Sequence, residues 1–260
     1  MNQRITTIFT SLICLITFQV LANNDGNLSS SSKWQLIDNF ESSALDNAWQ
    51  KKDTRNDTSP HIPNPQVTKL VREKTSENTF LLKKPAADDI VGNRKALTFR
   101  PLPQTVAVGE TYTFYTRINI EYFPNNHIFG LSNLDANGIE KHDYNAFEPS
   151  IRITDKLESN GFKNDGTFMV KTDSGYSNIQ NYAKNRSATP AETGVWYEFW
   201  YVVNNSKIIN GGQTYDLYLR GGEFNEQTLV FKNASFRMKR EQALSYFLMN
   251  SNTGSVKKPY

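Results

Sequence analysis

The sequence predicts an all-β protein built as an antiparallel two-sheet sandwich. The clearest strand is TYTFYTRINIEYF, residues 111–123, in which Tyr112, Phe114 and Ile118 alternate with polar residues such as Thr113 and Arg117. An alternation with a period of two residues predicts a strand with one buried face and one solvent-exposed face. Turns rich in Asn, Asp and Gly, such as LDANG and KNDG, separate many short segments of this kind. Helix-period segments of a dozen residues are scarce, which argues against the crossover helices of a parallel α/β fold.

Twelve segments have strand character, since each combines aromatic or branched residues with alternating polar ones. Short strands joined by tight turns are typical of jelly rolls and related sandwiches. In chain order the segments are 34–40, 68–73, 79–84, 96–101, 111–123, 127–132, 150–154, 167–172, 195–203, 214–220, 228–233 and 245–250.

The segment VWYEFWYVV, residues 195–203, has an unusual second face. Its first face, with Tyr197 and Phe199 at the centre, suits a core. The opposite face places Glu198 between Trp196 and Trp200. A fully solvated face does not need two indoles, and a fully buried one does not tolerate an unpaired carboxylate. This face is therefore a candidate binding surface, with the alternative that the tryptophans fill the space between the sheets.

The first 22 residues have the pattern of a secretory signal peptide. Arg4 precedes an apolar run over 8–20, and a small-x-small cleavage pattern ends at Ala22. Residues 23–33 then form a polar linker, and 34–260 are predicted as a single jelly-roll domain. The mature protein is expected to be secreted or periplasmic. Cys14 is the only cysteine, so the mature chain gains no stability from disulfides.

Composition and motifs exclude several function classes. The net charge of +3 is small and the basic residues are scattered, so nucleic acid is not an expected partner. After residue 22 no hydrophobic run is long enough to cross a bilayer. The sequence has no Gly-rich phosphate loop, no G-x-S-x-G and no C-x-x-C. Its three histidines lack the spacing of a zinc site, and no E-x-D-x-x-E run is present for a retaining glycoside hydrolase.

Four segments together resemble the back half of LamG-like jelly rolls, in the concanavalin A-like lectin/glucanase group. These are ETGVWYEFWYVVNN, GQTYDLYLRGG, TLVFKNASFRMKR and LSYFLMNSN. The opening WQLIDNFESSALDNAW also resembles the entry strand of secreted bacterial jelly rolls. The resemblance covers residues 34–250 in layout. It implies a polysaccharide or oligosaccharide partner bound on a concave sheet.

The leading hypothesis is accordingly a secreted, lectin-like carbohydrate-binding protein. Aromatic planes match the C–H faces of sugar rings, and basic side chains can bond the carboxylates of an acidic glycan. The candidate ligand-binding residues on the predicted wet strand faces are Tyr115, Asn119, Lys171, Trp200 and Arg220.

The alternative hypothesis is a polysaccharide lyase that cleaves a uronate-containing glycan by β-elimination. Such a reaction requires a base and a group that neutralises the uronate carboxylate. The candidate catalytic residues are His127, beside Asn125 and Asn126, with Arg117, Arg152 and Tyr218. His127 could equally be a strand-end histidine that bonds a neighbour. A structural or adhesive surface module remains a third class.

Calcium is the one metal that the sequence suggests. Asp38, Glu41 and Asp46 cluster near the entry strand, and calcium prefers hard oxygen ligands of this kind. The alternative is a solvated acidic turn stabilised by Asx hydrogen bonds. No other cofactor is predicted.

Overall fold

The computed structural model describes residues 34–74, 76, 78–123, 126–158, 161 and 163–254. The predicted signal peptide, the linker and Asn125 lie outside these residues. The chain divides into two units, Met1–Gln35 and Leu36–Tyr260. Of the first unit only Trp34 and Gln35 are described, and neither lies in a helix or strand. The description that follows concerns the second unit.

Regular structure in the second unit is mostly antiparallel β, which confirms the predicted fold class. The strands are β1 (Gln50–Asn56), β2 (Val67–Arg72), β3 (Thr79–Lys84), β4 (Asn93–Val106), β5 (Thr111–Asn119), β6 (Asn126–Ser132), β7 (Ser150–Ile153), β8 (Met169–Thr172), β9 (Gly175–Asn178), β10 (Gln180–Asn181), β11 (Arg186–Ser187), β12 (Trp196–Asn204), β13 (Thr214–Gly221), β14 (Phe224–Ser235) and β15 (Leu244–Asn252). One α-helix, α1, spans Ala136–His142, and 3-10 turns span Asp143–Ala146, Tyr182–Lys184 and Ile208–Asn210.

The predicted strand at 34–40 is wrong, because this segment forms no strand. The carboxylate of Asp38 accepts the backbone N–H of Phe40 at 2.8 Å, and Phe40 has a φ of 61°. This local Asx turn breaks the extended backbone. The prediction also missed β1, whose sequence QKKDTRN does not alternate in polarity, and the short strands β9, β10 and β11. The other eleven predicted strands are each present, although β5 ends at Asn119 rather than at residue 123.

The strands form two principal sheets. The seven-stranded sheet has the order β1-β4-β15-β6-β7-β8-β9, and the four-stranded sheet has the order β14-β13-β12-β5. The β2–β3 and β10–β11 hairpins pair only within themselves. The last strand, β15, lies in the interior of the larger sheet, where it pairs with both β4 and β6.

The main core lies between the two sheets. Tyr197 and Phe199 of β12 are buried, as the alternation of 195–203 predicts. The Phe199 ring packs edge-on against Phe129 at 5.7 Å and against Phe168 at 4.9 Å. Burial of each such ring contributes about 1.5–3 kcal/mol, so this aromatic contact holds the sheets face to face.

A second apolar cluster covers part of the outer face of the seven-stranded sheet. Ile139 of α1 and Phe147 pack there against Leu97, Phe99 and Leu248. Asp135 caps the start of the helix, and its carboxylate accepts the N–H of Gly138 at 2.7 Å. An N-cap of this type satisfies a backbone donor that the first helical turn leaves unpaired. Across the described part of the chain, no helix is long and apolar enough to span a membrane.

Candidate functional site

The outer face of the four-stranded sheet presents a row of three aromatic side chains. The register pairs Trp200 of β12 with Tyr115 of β5 on one side and with Tyr218 of β13 on the other. We call these three residues the aromatic row. Tyr115 is 41% exposed, and its ring lies 5.2 Å from that of Trp200. Trp200 and Tyr218 are half-buried. The row crosses two strand spacings, about 10 Å.

A row of charged residues lies beside the aromatic row, two residues later on β5 and β13 and two residues earlier on β12. Glu198 of β12 lies between Arg117 of β5 and Arg220 of β13. Its carboxylate is 2.6 Å from the Arg220 guanidinium and 3.9 Å from Arg117. We call these residues the charged row. The carboxylate between two indoles is therefore paired, which is why it can stand on a half-buried face.

The phenol of Tyr115 is a neutral hydroxyl at physiological pH. Burial, and after it the Glu198 carboxylate, raise the pKa of this phenol above its ordinary value. A neutral phenol can both donate and accept a hydrogen bond. The aromatic row therefore offers polar contacts at its edge as well as flat apolar surface.

Trp196 stands at the end of the same face and is held by the β2–β3 hairpin. Its Nε1 donates to Glu73 at 2.5 Å, and the Phe80 ring meets it edge-on at 5.6 Å. The Arg117 guanidinium stacks on the indole at 4.6 Å. Both Trp196 and Trp200 thus lie on the outer face rather than between the sheets.

An open groove of about 330 Å³ adjoins Trp196, Glu198 and Arg220. Its other side is formed by Gly221 at the end of β13, by Gly222 in the turn that follows, and by Phe224 and Asn225 at the start of β14. Gly221 has a φ of 127°, and a Cβ there would lie 2.7 Å from the Trp196 carbonyl oxygen. Only glycine fits this close approach, so no side chain projects from Gly221 into the groove. The groove can therefore receive a ligand group of substantial width.

Asn119, the last residue of β5, pairs with Trp196 in the sheet. Its amide Nδ2 donates to the carbonyl of Gly194 at 2.9 Å. This bond links the end of β5 to the turn that precedes β12. The side chain thus positions the strand that carries both tryptophans.

His127 lies away from this face. On β6 it lies two residues from Phe129, so both side chains are on the face of the strand that points to the main core. The Nδ1 atom of His127 is 2.7 Å from the hydroxyl of Ser251. Burial, and after it the charge of Lys83, lower the pKa of His127 to about 3. The imidazole is therefore neutral at physiological pH and has a partner within the fold.

Arg152 and Lys171 belong to the outer face of the seven-stranded sheet. Arg152 donates through Nε to the Asn126 side-chain oxygen at 2.8 Å, and its Nη2 is 2.5 Å from the Glu158 carboxylate. It also stacks on the Tyr176 ring at 5.0 Å. Lys171 pairs with Tyr176 across β8 and β9.

The four candidate catalytic residues therefore occupy three separate surfaces. Arg117 and Tyr218 lie on the outer face of the four-stranded sheet. His127 points between the layers, and Arg152 points to the far side of the other sheet. The structure does not bring them into one groove. The ligand-binding candidates Tyr115, Asn119, Trp200 and Arg220 do share one face, whereas Lys171 does not.

The acidic residues near the entry segment bond to the protein itself. Arg100 lies 2.7 Å from Asp38 and 3.3 Å from Asp46. Glu41 accepts the N–H of Thr79 at 2.9 Å. The Arg100 guanidinium thus lies between the two carboxylates, in the position that a bound metal cation would occupy. Among the residues described, no group of three or more His, Cys, Asp or Glu side chains could hold a metal ion. Calcium binding stays a prediction.

Sequence reasoning missed the contribution of the β2–β3 hairpin to this site. Glu73 is 123 residues from Trp196 in sequence, so no local pattern connects them. The Gly-Gly of the β13–β14 turn was visible in the sequence as a turn. Its place beside a groove depends on the pairing of β12 with β13, which the sequence alone does not give.

No family model and no curated protein matches the chain. Among solved structures, the crystal structure of a β-1,3-glucanase from Mycobacterium marinum is similar, with a TM-score of 0.38 and 11% identity. The alignment covers 88% of this chain and 93% of that one.

Proposed function

We propose that the protein binds a polysaccharide on the outer face of the four-stranded sheet. The observation that carries the proposal is the aromatic row, Tyr115, Trp200 and Tyr218, on a face whose adjacent charged row borders an open groove. Flat rings that stay half-exposed on a β-surface suit the C–H faces of sugars, because stacking removes apolar surface of both partners from water. The length of the row favours an oligosaccharide segment over a single ring.

The charged row supplies directional contacts to sugar hydroxyls. Arg117 and Arg220 donate hydrogen bonds, and Glu198 accepts them. The carboxylates of Glu198 and Glu73 offset the two guanidinium charges, so the face is close to electrically balanced. This balance favours a neutral polysaccharide over a polyanion.

Affinity electrophoresis in gels that contain neutral or acidic polysaccharides tests the proposal. We expect at least one neutral polysaccharide to retard the protein. Trp200→Ala should weaken that binding about tenfold or more, because it removes the central ring. Ile209→Ala is the matched control, since Ile209 is 90% exposed at the far turn of the same sheet. Unchanged migration in every gel, or equal retardation of Trp200→Ala and wild type, would overturn the proposal.

A uronate lyase is the second candidate, and one group of side chains favours it. On the outer face of the seven-stranded sheet, Asn126 bonds Arg152 at 2.8 Å and the Tyr144 hydroxyl at 3.0 Å, and Tyr176 lies beneath Arg152. Arg and Asn can neutralise a carboxylate, and Tyr can move a proton. Against this, burial raises the pKa of Tyr144, and Glu158 already pairs with Arg152.

Incubation with a panel of uronate polymers separates the two candidates. A lyase produces an unsaturated sugar that absorbs in the ultraviolet, and Arg152→Ala should abolish that signal. A binding protein produces none. Absence of product with every polymer would remove the lyase candidate and leave the binding proposal intact.

A further inference from the structure

The open groove lies to one side of the aromatic row rather than in line with it. The row crosses β5, β12 and β13 at one level, because Tyr115, Trp200 and Tyr218 are paired in the sheet. The groove begins at the charged row and reaches Trp196, four residues from Trp200 and about 13 Å away along β12. A sugar chain that follows the aromatic row therefore passes beside the groove and does not enter it.

The groove combines the two kinds of surface that a sugar ring requires. Trp196 provides a flat apolar wall, and no side chain projects from Gly221 on the opposite side. Glu198 accepts hydrogen bonds, Arg220 donates them, and the amide of the exposed Asn225 does both. A pyranose presents a C–H face that suits the indole and hydroxyl groups that suit the polar side chains.

The volume of the groove sets the size of its ligand. Protein sites for small molecules usually have volumes of about 300–1,000 Å³, so the groove, at about 330 Å³, lies at the lower end of that range. This space suits one sugar ring rather than a further length of polysaccharide.

Trp196 is fixed in position by its neighbours in the fold. Its Nε1 donates to Glu73 at 2.5 Å, and Phe80 and the Arg117 guanidinium pack against its rings. A side chain that is already ordered loses little conformational entropy on binding. Because the indole N–H is used within the fold, Trp196 offers a ligand its flat surface rather than a hydrogen bond.

Building on the proposed function, we propose that the groove binds a single-sugar side branch of a neutral polysaccharide whose main chain lies on the aromatic row. The branch leaves the main chain above the charged row, where Arg220 donates to its hydroxyls and Glu198 accepts from them. The branch sugar then packs against Trp196. An unbranched chain on the row leaves the groove to water, so the protein favours branched polysaccharides over linear ones.

Matched branched and linear oligosaccharides test the proposal, with affinities measured by isothermal titration calorimetry. The branched probes are a mannan oligomer with galactose branches, a cellulose-type glucan oligomer with xylose branches and a laminarin-type glucan oligomer with glucose branches. Each is compared with the unsubstituted oligomer of the same main chain and length. We expect the branched member of at least one pair to bind about fivefold tighter or more than its linear partner.

Two substitutions of Trp196 test where the branch binds. Trp196→Leu removes the flat ring, whereas Trp196→Phe keeps one, and both lose the hydrogen bond to Glu73. We expect Trp196→Leu to reduce the preference for the branched member about fivefold and Trp196→Phe to retain most of it. Affinity for the linear member should stay unchanged in both variants, which also verifies that each is folded.

The outcomes distinguish this proposal from the one on which it rests. Equal binding of branched and linear members in every pair, with both weakened by Trp200→Ala, would overturn the branch site and leave polysaccharide binding standing. A preference that survives fully in Trp196→Leu would overturn this groove as its site. Equal weakening of branched and linear members by Trp196→Leu would mean that an unbranched chain reaches the groove, which also overturns the branch site. Failure of every glycan to bind would overturn both proposals.

Discussion

Replacement of Glu223 by glutamine should destabilise the protein in a pH-dependent way. Glu223 lies in the β13–β14 turn, directly after the glycines that border the groove. Its carboxylate accepts the N–H of Thr189 at 2.7 Å and pairs with Arg186 at 2.7 Å and Lys184 at 3.3 Å. Asn181 donates to the same carboxylate at 2.7 Å. One side chain thus ties the turn to the segment that contains β10 and β11.

The size of the effect follows from the pKa of Glu223. Burial opposes its ionisation, but the hydrogen bonds from Thr189, Arg186, Asn181 and Lys184 outweigh burial and lower the pKa from 4.5 to about 2. That difference corresponds to about 3 kcal/mol. The side chains of Lys184 and Arg186 are 59% and 41% exposed, so water and salt screen part of the attraction. We expect Glu223→Gln to lower the free energy of unfolding by about 1–2 kcal/mol near neutral pH.

Because the folded-state pKa is depressed, this stabilisation is present above the unfolded pKa and is lost as pH falls toward 2. Urea unfolding of wild type and Glu223→Gln, followed by tryptophan fluorescence, should give midpoints that differ at about pH 7 and draw together as the pH falls from about 4.5 toward 2. Glu226→Gln is the control, since Glu226 is exposed three residues further along the chain. A gap between the two midpoints that does not change with pH would refute the reasoning.

Four further predictions concern the core, the groove and the candidate polar sites. Phe199→Ala should cost about 3–5 kcal/mol in urea unfolding, because it opens a cavity between the sheets. Gly221→Ala should cost about 1–3 kcal/mol more than Gly194→Ala, since both have a positive φ but only Gly221 has backbone within 3 Å of the added Cβ. The His127 ring should show no titration by NMR between about pH 5 and 8, because its pKa is about 3; a shift in that range would contradict its burial. Calcium should leave the melting temperature unchanged relative to chelator, while Asp38→Asn should lower it, because Arg100 already pairs with that carboxylate; a calcium-dependent rise would support the predicted calcium site.

The placement of the proposed binding face is largely predictable from the sequence. Alternation in 111–123 and 195–203 determines which side chains point away from the core, and antiparallel pairing then brings Tyr115 beside Trp200. The rest depends on contacts distant in sequence. The direction of the His127 side chain depends on the position of β6 inside the larger sheet. The hydrogen bond between Glu73 and Trp196 depends on how the β2–β3 hairpin packs against the four-stranded sheet. At Phe40, one Asx hydrogen bond outweighs the strand propensity of its neighbours.

The interior position of β15 has a consequence for biosynthesis. In the larger sheet, β1 and β4 form one part, and β6, β7, β8 and β9 form the other. Only β15, residues 244–252, joins the two parts. During synthesis both halves therefore display unpaired strand edges until the ribosome has released almost the whole described chain. Exposed edges invite pairing with other chains, and such distant contacts form slowly. The edges of β4 and β6 that β15 joins therefore stay unpaired until β15 is made.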